Sequence, residues 1–295
     1  MITVAKEMDV KPVAGDIGVE IEVEGHNLPR LAKYWRNDKD GSLKGESMEY
    51  VLAKPLTLDG VKVALDYLNT KYIEAGSDVH DSVRAGVHIH INCQQLSMTE
   101  LFNFITVYLI LENLLVKWCG KYREGNLFCL RAIDADYIVN VISDTCSRYK
   151  AGRGNYRAAF RQDDLRYSSM NVKALGDYGS LEFRAMRGTR DLGLIYSWAE
   201  TLLGLREYAK QFQDPSHIPH KFSQVGALGF AKEALGKNFK LFDCADAEVM
   251  LWEGLHNAQD VAYATDWSKL EPKMRKVGQL DFPEDIVPDE PDEDF

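Results

Sequence analysis

Residues Gly18 to Glu24 read "GVEIEVE". Glu20, Glu22 and Glu24 take alternate positions, and the β-branched Ile21 and Val23 fall between them. Successive side chains of an extended chain point to opposite faces, so this is a strand with a carboxylate ridge on one face and an apolar ridge on the other. Like charges on one ridge repel and push carboxylate pKa values up unless a cation lies nearby. Two readings stay open at this point: the wet face of a half-buried strand, or a seat for divalent cations, which favour oxygen ligands.

Other strands repeat the pattern. In "GVHIHIN", Gly86 to Asn92, His88 and His90 share one face and Val87, Ile89 and Ile91 the other. Neutral imidazole binds borderline metals, although a strand histidine is also an ordinary packed residue. In "GSLEFRAMRG", Gly179 to Gly188, Glu182 and Arg184 lie opposite Leu181 and Phe183. That pair is either a charge couple on an exposed sheet or a metal-binding carboxylate beside an anion-binding guanidinium. Arg187 and Arg190 follow, which makes a local anion site plausible. "SMEYVLAKPL", Ser47 to Leu56, carries one acid, Glu49, readable as an edge residue or as part of a site. Set in one sheet with these faces aligned, the strands form a floor of acids, imidazoles and guanidinium groups. Such a floor suits phosphoryl transfer, where catalysis is mostly charge neutralisation and positioning.

Between the strands the periodicity turns helical. "LDGVKVALDYLNTKYIEAG" is an amphipathic helix stopping at Gly76, and Ser97 with Glu100 forms a capping box opening a long apolar helix. "LFNFITVYLILENLLVKWC" has the length of a membrane span, but Asn103, Glu112, Asn113 and Lys117 make it a buried helix. A turn is expected at Asp40-Gly41, a weaker helix over 134–149, loop then strand over 151–175, a helix over 191–212, and further helices near 226–238 and 246–263. Single strands separated by long helices predict an α+β fold, with a mainly antiparallel sheet and helices packed on one side.

Composition bounds the function. The net charge is −10, but residues 281–295 hold eight acids and no base; without those eight the body stands at −2. A nearly neutral body argues against general nucleic-acid binding, and the Pro-broken acidic tail reads as disordered. Five cysteines without metal-like spacing read as reduced thiols. With no apolar signal segment at the start, the expectation is a cytoplasmic protein that engages no membrane.

The order "GVEIEVE", "W…DGSL", "MEYVLAKPL", "GVHIHIN", "RYSSMN", "LEFR" resembles the putative amidoligase family, of the glutamine synthetase and glutamate–cysteine ligase superfamily, over roughly residues 16–192. The resemblance implies a curved, mainly antiparallel sheet with a glutamine-synthetase-like catalytic face holding ATP and Mg²⁺, with Mn²⁺ open. It implies an ATP-dependent ligase that joins a carboxylate to an amine through an acyl phosphate. Matched motif by motif, Glu20, Glu22, His88 and Glu182 are the metal ligands. His90, Arg184, Arg187 and Arg190 face the nucleotide, with His90 also able to face substrate. Arg184, Glu182 and Glu49 serve catalysis, and Arg166 and Asn171 bind and orient the carboxylate substrate. Asp40 and Ser42 match family positions without a derived role, and Lys54 replaces a small residue or proline.

The implied organisation is a catalytic domain over 1–215, a helical extension over 216–280 packed on it, and the acidic tail over 281–295. The partners are a carboxylate and an amine, small or borne on a peptide or protein. Alternatives on the same scaffold are a phosphoryl transferase like the guanidino kinases and a non-catalytic binding protein. A zinc hydrolase using His88 and His90 lacks further ligands.

Overall fold

The computed structural model describes residues 2–39, 41–80, 82–152, 158 and 160–267. The fold is α+β, built on a seven-stranded antiparallel sheet. Its strands are β1 (Ile17–His26), β2 (Trp35–Asp38), β3 (Ser47–Leu52), β4 (Asp78–His80), β5 (Gly86–Asn92), β6 (Met170–Asn171) and β7 (Ser180–Arg187). The order across the sheet is β2-β3-β1-β5-β7-β6, and β4 pairs with the far end of β1. The strands expected at β1, β3, β5 and β7 are all present.

The alternation read from the sequence decides what each face does. Ile17, Val19, Ile21 and Val23 of β1, Val87, Ile89 and Ile91 of β5, and Leu181 and Phe183 of β7 are fully buried on one face. Two long helices and a third cover that face: α2 (Leu58–Ala75), α3 (Met98–Cys119) and the helix Leu192–Ala209. The Phe183 ring meets Phe104 and Tyr108 of α3 at centroid distances of 5.7 and 4.8 Å.

Helix α3 starts at the expected capping box, with Ser97 Oγ accepting from Glu100 N and Glu100 accepting from Ser97 N. It is apolar all round because it is covered all round. The sheet lies on one side and the C-terminal helix Ala247–Ala262 on the other. The two helices approach closely at Gly254, where a Cβ would lie 2.3 Å from the carbonyl oxygen of Ile110. The membrane-length helix is therefore the core helix of the fold.

Numbered in chain order with α2 and α3, the other helices of the described residues are α1 (Val4–Met8), α4 (Asp136–Lys150), α5 (Ala174–Tyr178), α7 (His217–Val225), α8 (Ala227–Leu235) and α9 (Phe239–Phe242), with Leu192–Ala209 as α6 and Ala247–Ala262 as α10. The segment read as loop then strand contains a 3₁₀ turn over Asp163–Tyr167, the two-residue β6 and the short α5. The turn expected at Asp40-Gly41 includes Asp40, which lies outside the described residues, as does the acidic tail.

Candidate active site

Register brings the polar groups of separate strands into rows on the face turned away from α2, α3 and α6. One row runs Arg36–Val51–Glu20–His88 across β2, β3, β1 and β5. The next runs Gly18–His90–Glu182–Asn171 across β1, β5, β7 and β6. On the other side of the first row, Asp38, Glu49 and Glu22 are directly opposed across β2, β3 and β1. Cross-strand neighbours point to the same face, so one row's side chains meet without any loop to place them.

His88 is the centre of the cluster. Its Nδ1 lies 3.2 Å from Glu20 Oε2 and 3.6 Å from Glu182 Oε1, and its Nε2 lies 3.8 Å from Glu22 Oε1. Ligand atoms of Glu20, His88 and Glu182 fall within 4.8 Å of one another. Glu182 also accepts from Asn171 Nδ2 at 2.7 Å and pairs with the Arg184 guanidinium. Glu22 accepts from the Gly86 amide at 2.7 Å. A Cβ at Gly86 would be a tight fit, 3.3 Å from both His88 Nε2 and Arg123 Nη2.

His90 adds the link between rows. Its Nδ1 is 3.2 Å from Ser180 Oγ, and its Nε2 is 3.3 Å from Glu20 Oε1. The second approach is a charge contact, not an aligned hydrogen bond, so the buried Nε2 has no aligned hydrogen-bond partner among the described residues.

The electrostatics follow from these contacts. Burial pushes Glu20 towards its neutral form, but His88 and His90 outweigh burial and hold the carboxyl well below its ordinary range. Glu182 is treated the same way: burial is outweighed by His90, Arg184 and His88, and the carboxyl is lowered. Burial disfavours the His90 cation, but Glu20 and Glu182 more than compensate and raise its pKa. Glu20 and Glu182 are thus ionised at neutral pH, balanced by His90 and the Arg184 guanidinium.

This donor set fits a hard or borderline divalent cation, because Glu20, Glu182 and His88 could supply two carboxylate oxygens and a ring nitrogen at one point. The orphaned His90 nitrogen beside it is a further polar atom in want of a partner.

The structure brings together Glu20, Glu22, His88, His90, Glu182, Arg184 and Asn171, and sets Glu49 opposite Glu22. Three other expected site residues stand elsewhere. Arg187 donates to the carbonyl oxygens of Cys119 and Trp118 at the end of α3, at 3.0 and 3.4 Å. Arg190 is exposed in the turn after β7, where its charge is felt by Tyr72 of α2, on the helix-covered side. Arg166 is exposed and stacks on its neighbour Tyr167, with its guanidinium carbon 4.7 Å from the ring centroid. Glu24 accepts from the Lys44 amide at 2.8 Å, and the Ser42 carbonyl accepts from Arg84 at 3.3 Å.

Two features escaped the sequence reading. The pairing of β5 with β7 shifts register between Val87 and Ile89. Beside that shift the buried Arg123 donates to the carbonyl oxygens of Ala185 and Arg184 at 3.0 and 2.6 Å. Arg123 therefore fixes the backbone that carries Arg184. The second feature is a cavity of about 350 Å³ whose wall includes Gly18, Glu20, His90 and Arg36.

Among known families, the model described as "putative amidoligase enzyme" matches residues 55–205. The matched span carries His88, His90, Glu182 and Arg184, while Glu20 and Glu22 precede it and join the cluster through β1. No curated protein matches the chain.

Proposed function

The chain belongs to the putative amidoligase family, and we propose that it is an ATP-dependent carboxylate–amine ligase working on the polar face of the sheet. The observation that carries the reading is the convergence of Glu20, His88 and Glu182 within 4.8 Å, with Arg184 paired to Glu182. In the proposed reaction a substrate carboxylate oxygen attacks the γ-phosphorus of ATP, and the bond to ADP breaks. The amine nitrogen then attacks the acyl carbon, phosphate leaves, and the nitrogen gives up a proton. Divalent cations, Mg²⁺ by default, would draw charge from the phosphate oxygens when held by Glu20, Glu22, His88 and Glu182.

The chain's own groups have definite tasks in this scheme. Arg184 has donors beyond the one on Glu182, and these would neutralise charge on the transferred phosphoryl group. Asn171 holds Glu182 at a fixed angle. Arg123 holds the backbone of Arg184. His90 stands between the cluster and the cavity, where it would meet the substrate.

Incubation with Mg-ATP and a mixed pool of carboxylates and amines tests the reading. ADP, phosphate and a new amide should appear together, and only when both substrates are present. A phosphorylated product without amide would replace the ligase by a kinase-like transferase. ATP hydrolysis indifferent to both substrates would remove the proposal.

A further inference from the structure

The cavity beside the cluster has a built wall and an uneven charge. Gln94 is almost fully buried and spends its amide entirely on that wall. Its Oε1 accepts from Val13 N at 2.8 Å, and its Nε2 donates to the carbonyl oxygens of Lys11 and Tyr178 at 3.2 and 2.9 Å. One side chain thereby ties the N-terminal segment to the turn before β7 and closes the rim. Tyr178 sets its ring edge-on to His90, 5.8 Å between centroids.

The cations stand away from the cluster. Arg36 and Lys11 both line the cavity, and neither side chain has a partner among the described residues. Of the three acids there, Asp16 is paired with Arg206 at 2.9 Å, Asp177 stands 3.9 Å from Lys173, and Glu20 belongs to the cluster. Arg36 and Glu20 lie in one cross-strand row with only Val51 between them. Two strand spacings separate their Cα atoms, about 10 Å. The floor between them is the apolar Val51, and Val13 and Pro55 add apolar surface to the cavity wall.

We propose that this cavity is the acceptor-acid pocket and that it selects a small dianionic acid. One carboxylate lies at the Glu20–His90 end, where it reacts. The aliphatic middle rests on Val51, and a second anionic group is held by Arg36 with Lys11 behind it. Arg36 is then the specificity-determining residue. A guanidinium suits the role because it binds a carboxylate through two parallel N–H bonds, and because an unpaired anion over an apolar floor is heavily penalised. The inference rests on the ligase reading, since that reading supplies the carboxylate that must reach Glu20.

Calorimetric titration of the full-length chain tests it. Mg²⁺ with a non-hydrolysable ATP analogue is titrated first. Succinate, glutarate and adipate are then compared with butyrate, pentanoate and hexanoate. At least one diacid should bind about tenfold or more tightly than its matched monoacid. Arg36→Gln should erase that preference, and Arg36→Lys should keep part of it. Arg36 is exposed, so neither variant threatens the fold. Equal binding of diacids and monoacids, no binding of either, or a preference that survives Arg36→Gln would overturn the pocket assignment. The nucleotide titration answers separately for the ligase: nucleotide binding without diacid preference removes only the pocket. Diacid preference without nucleotide binding removes the ligase.

Discussion

Glu182 and Phe183 are adjacent in β7 and face opposite worlds. Glu182 looks onto the polar face, where it is bonded by Asn171 and Arg184 and approached by His88. Phe183 looks into the helical layer and is wholly buried against Phe104 and Tyr108. The same division runs through β1 and β5, where Glu20 and His88 alternate with Ile21 and Ile89. The pleat has separated chemistry from stability residue by residue. A polar-face change should cost rate and spare the fold, and an apolar-face change should do the reverse.

The largest effect comes from the polar side. Glu182→Gln keeps the shape and the bond to Asn171 but removes the charge that faces His88 and Arg184. Loss of a charge-organising group of this kind costs on the order of a thousandfold in turnover. Stability should stay within about 1 kcal/mol, because Glu20 and Glu22 still supply negative charge beside His88 and the Arg184 guanidinium is partly exposed to water. ADP release and urea unfolding, measured on one preparation, check both halves. Wild-type turnover would sink the role of Glu182, and a collapse of stability would break the division of labour.

The mirror experiment is Phe183→Ala. Deleting a buried phenyl ring that is packed by two others should cost about 3–5 kcal/mol. The fraction that remains folded should turn over within a few-fold of wild type. A large fall in turnover per folded molecule would mean that the apolar face positions the cluster far more tightly than the pleat alone requires.

The strands with strict alternation were legible because a period of two is visible over seven residues, as in "GVHIHIN". The register was legible only as an expectation, since nothing local says that Glu20 will face His88. What stayed hidden was short or non-local. Strand β2 has four residues, and the Asn37 amide that anchors it bonds both the amide and carbonyl of Leu31 at 2.7 Å, which no pattern announces. The register shift beside Arg184 is held by Arg123, far away in sequence and in a stretch, "KYREGN", without periodicity. Arg187 and Arg190 show the opposite case. They follow Arg184 closely in the chain, but Arg187, the last residue of β7 and beyond the register shift, donates to the end of α3, and Arg190 is exposed in the turn after the strand. Proximity in sequence does not by itself predict a shared site. The cavity wall depends on Gln94 reaching back to Lys11 and Val13, and such a contact has no signature in either segment.

The smallest expected effect crosses from one face to the other. Glu112 is a carboxyl in the middle of α3, fully enclosed on the helical side. It accepts from the Ala132 amide at 2.7 Å and from the Ser169 hydroxyl. The Ser169 carbonyl in turn accepts from the Arg184 amide at 2.8 Å, so this buried acid underpins the backbone of the site. Burial pushes its pKa up from 4.5 to about 7, against the opposing pull of Ser169 and Ala132. A raised folded-state pKa means the folded chain holds a proton that the unfolded chain releases. The contribution is therefore complete below pH 4.5, fades as pH rises, and is gone above about 7. Glu112→Gln can accept from Ala132 and donate to Ser169 without titrating. The stability difference between variant and wild type should move in the variant's favour by on the order of 3 kcal/mol between those two pH values. Urea unfolding across that range measures it, and the subtraction cancels every group the two proteins share. A difference that stays flat with pH would mean that Glu112 is ionised in the fold. The helical face would then hold a buried charge of its own, and the pleat would no longer divide charge from core.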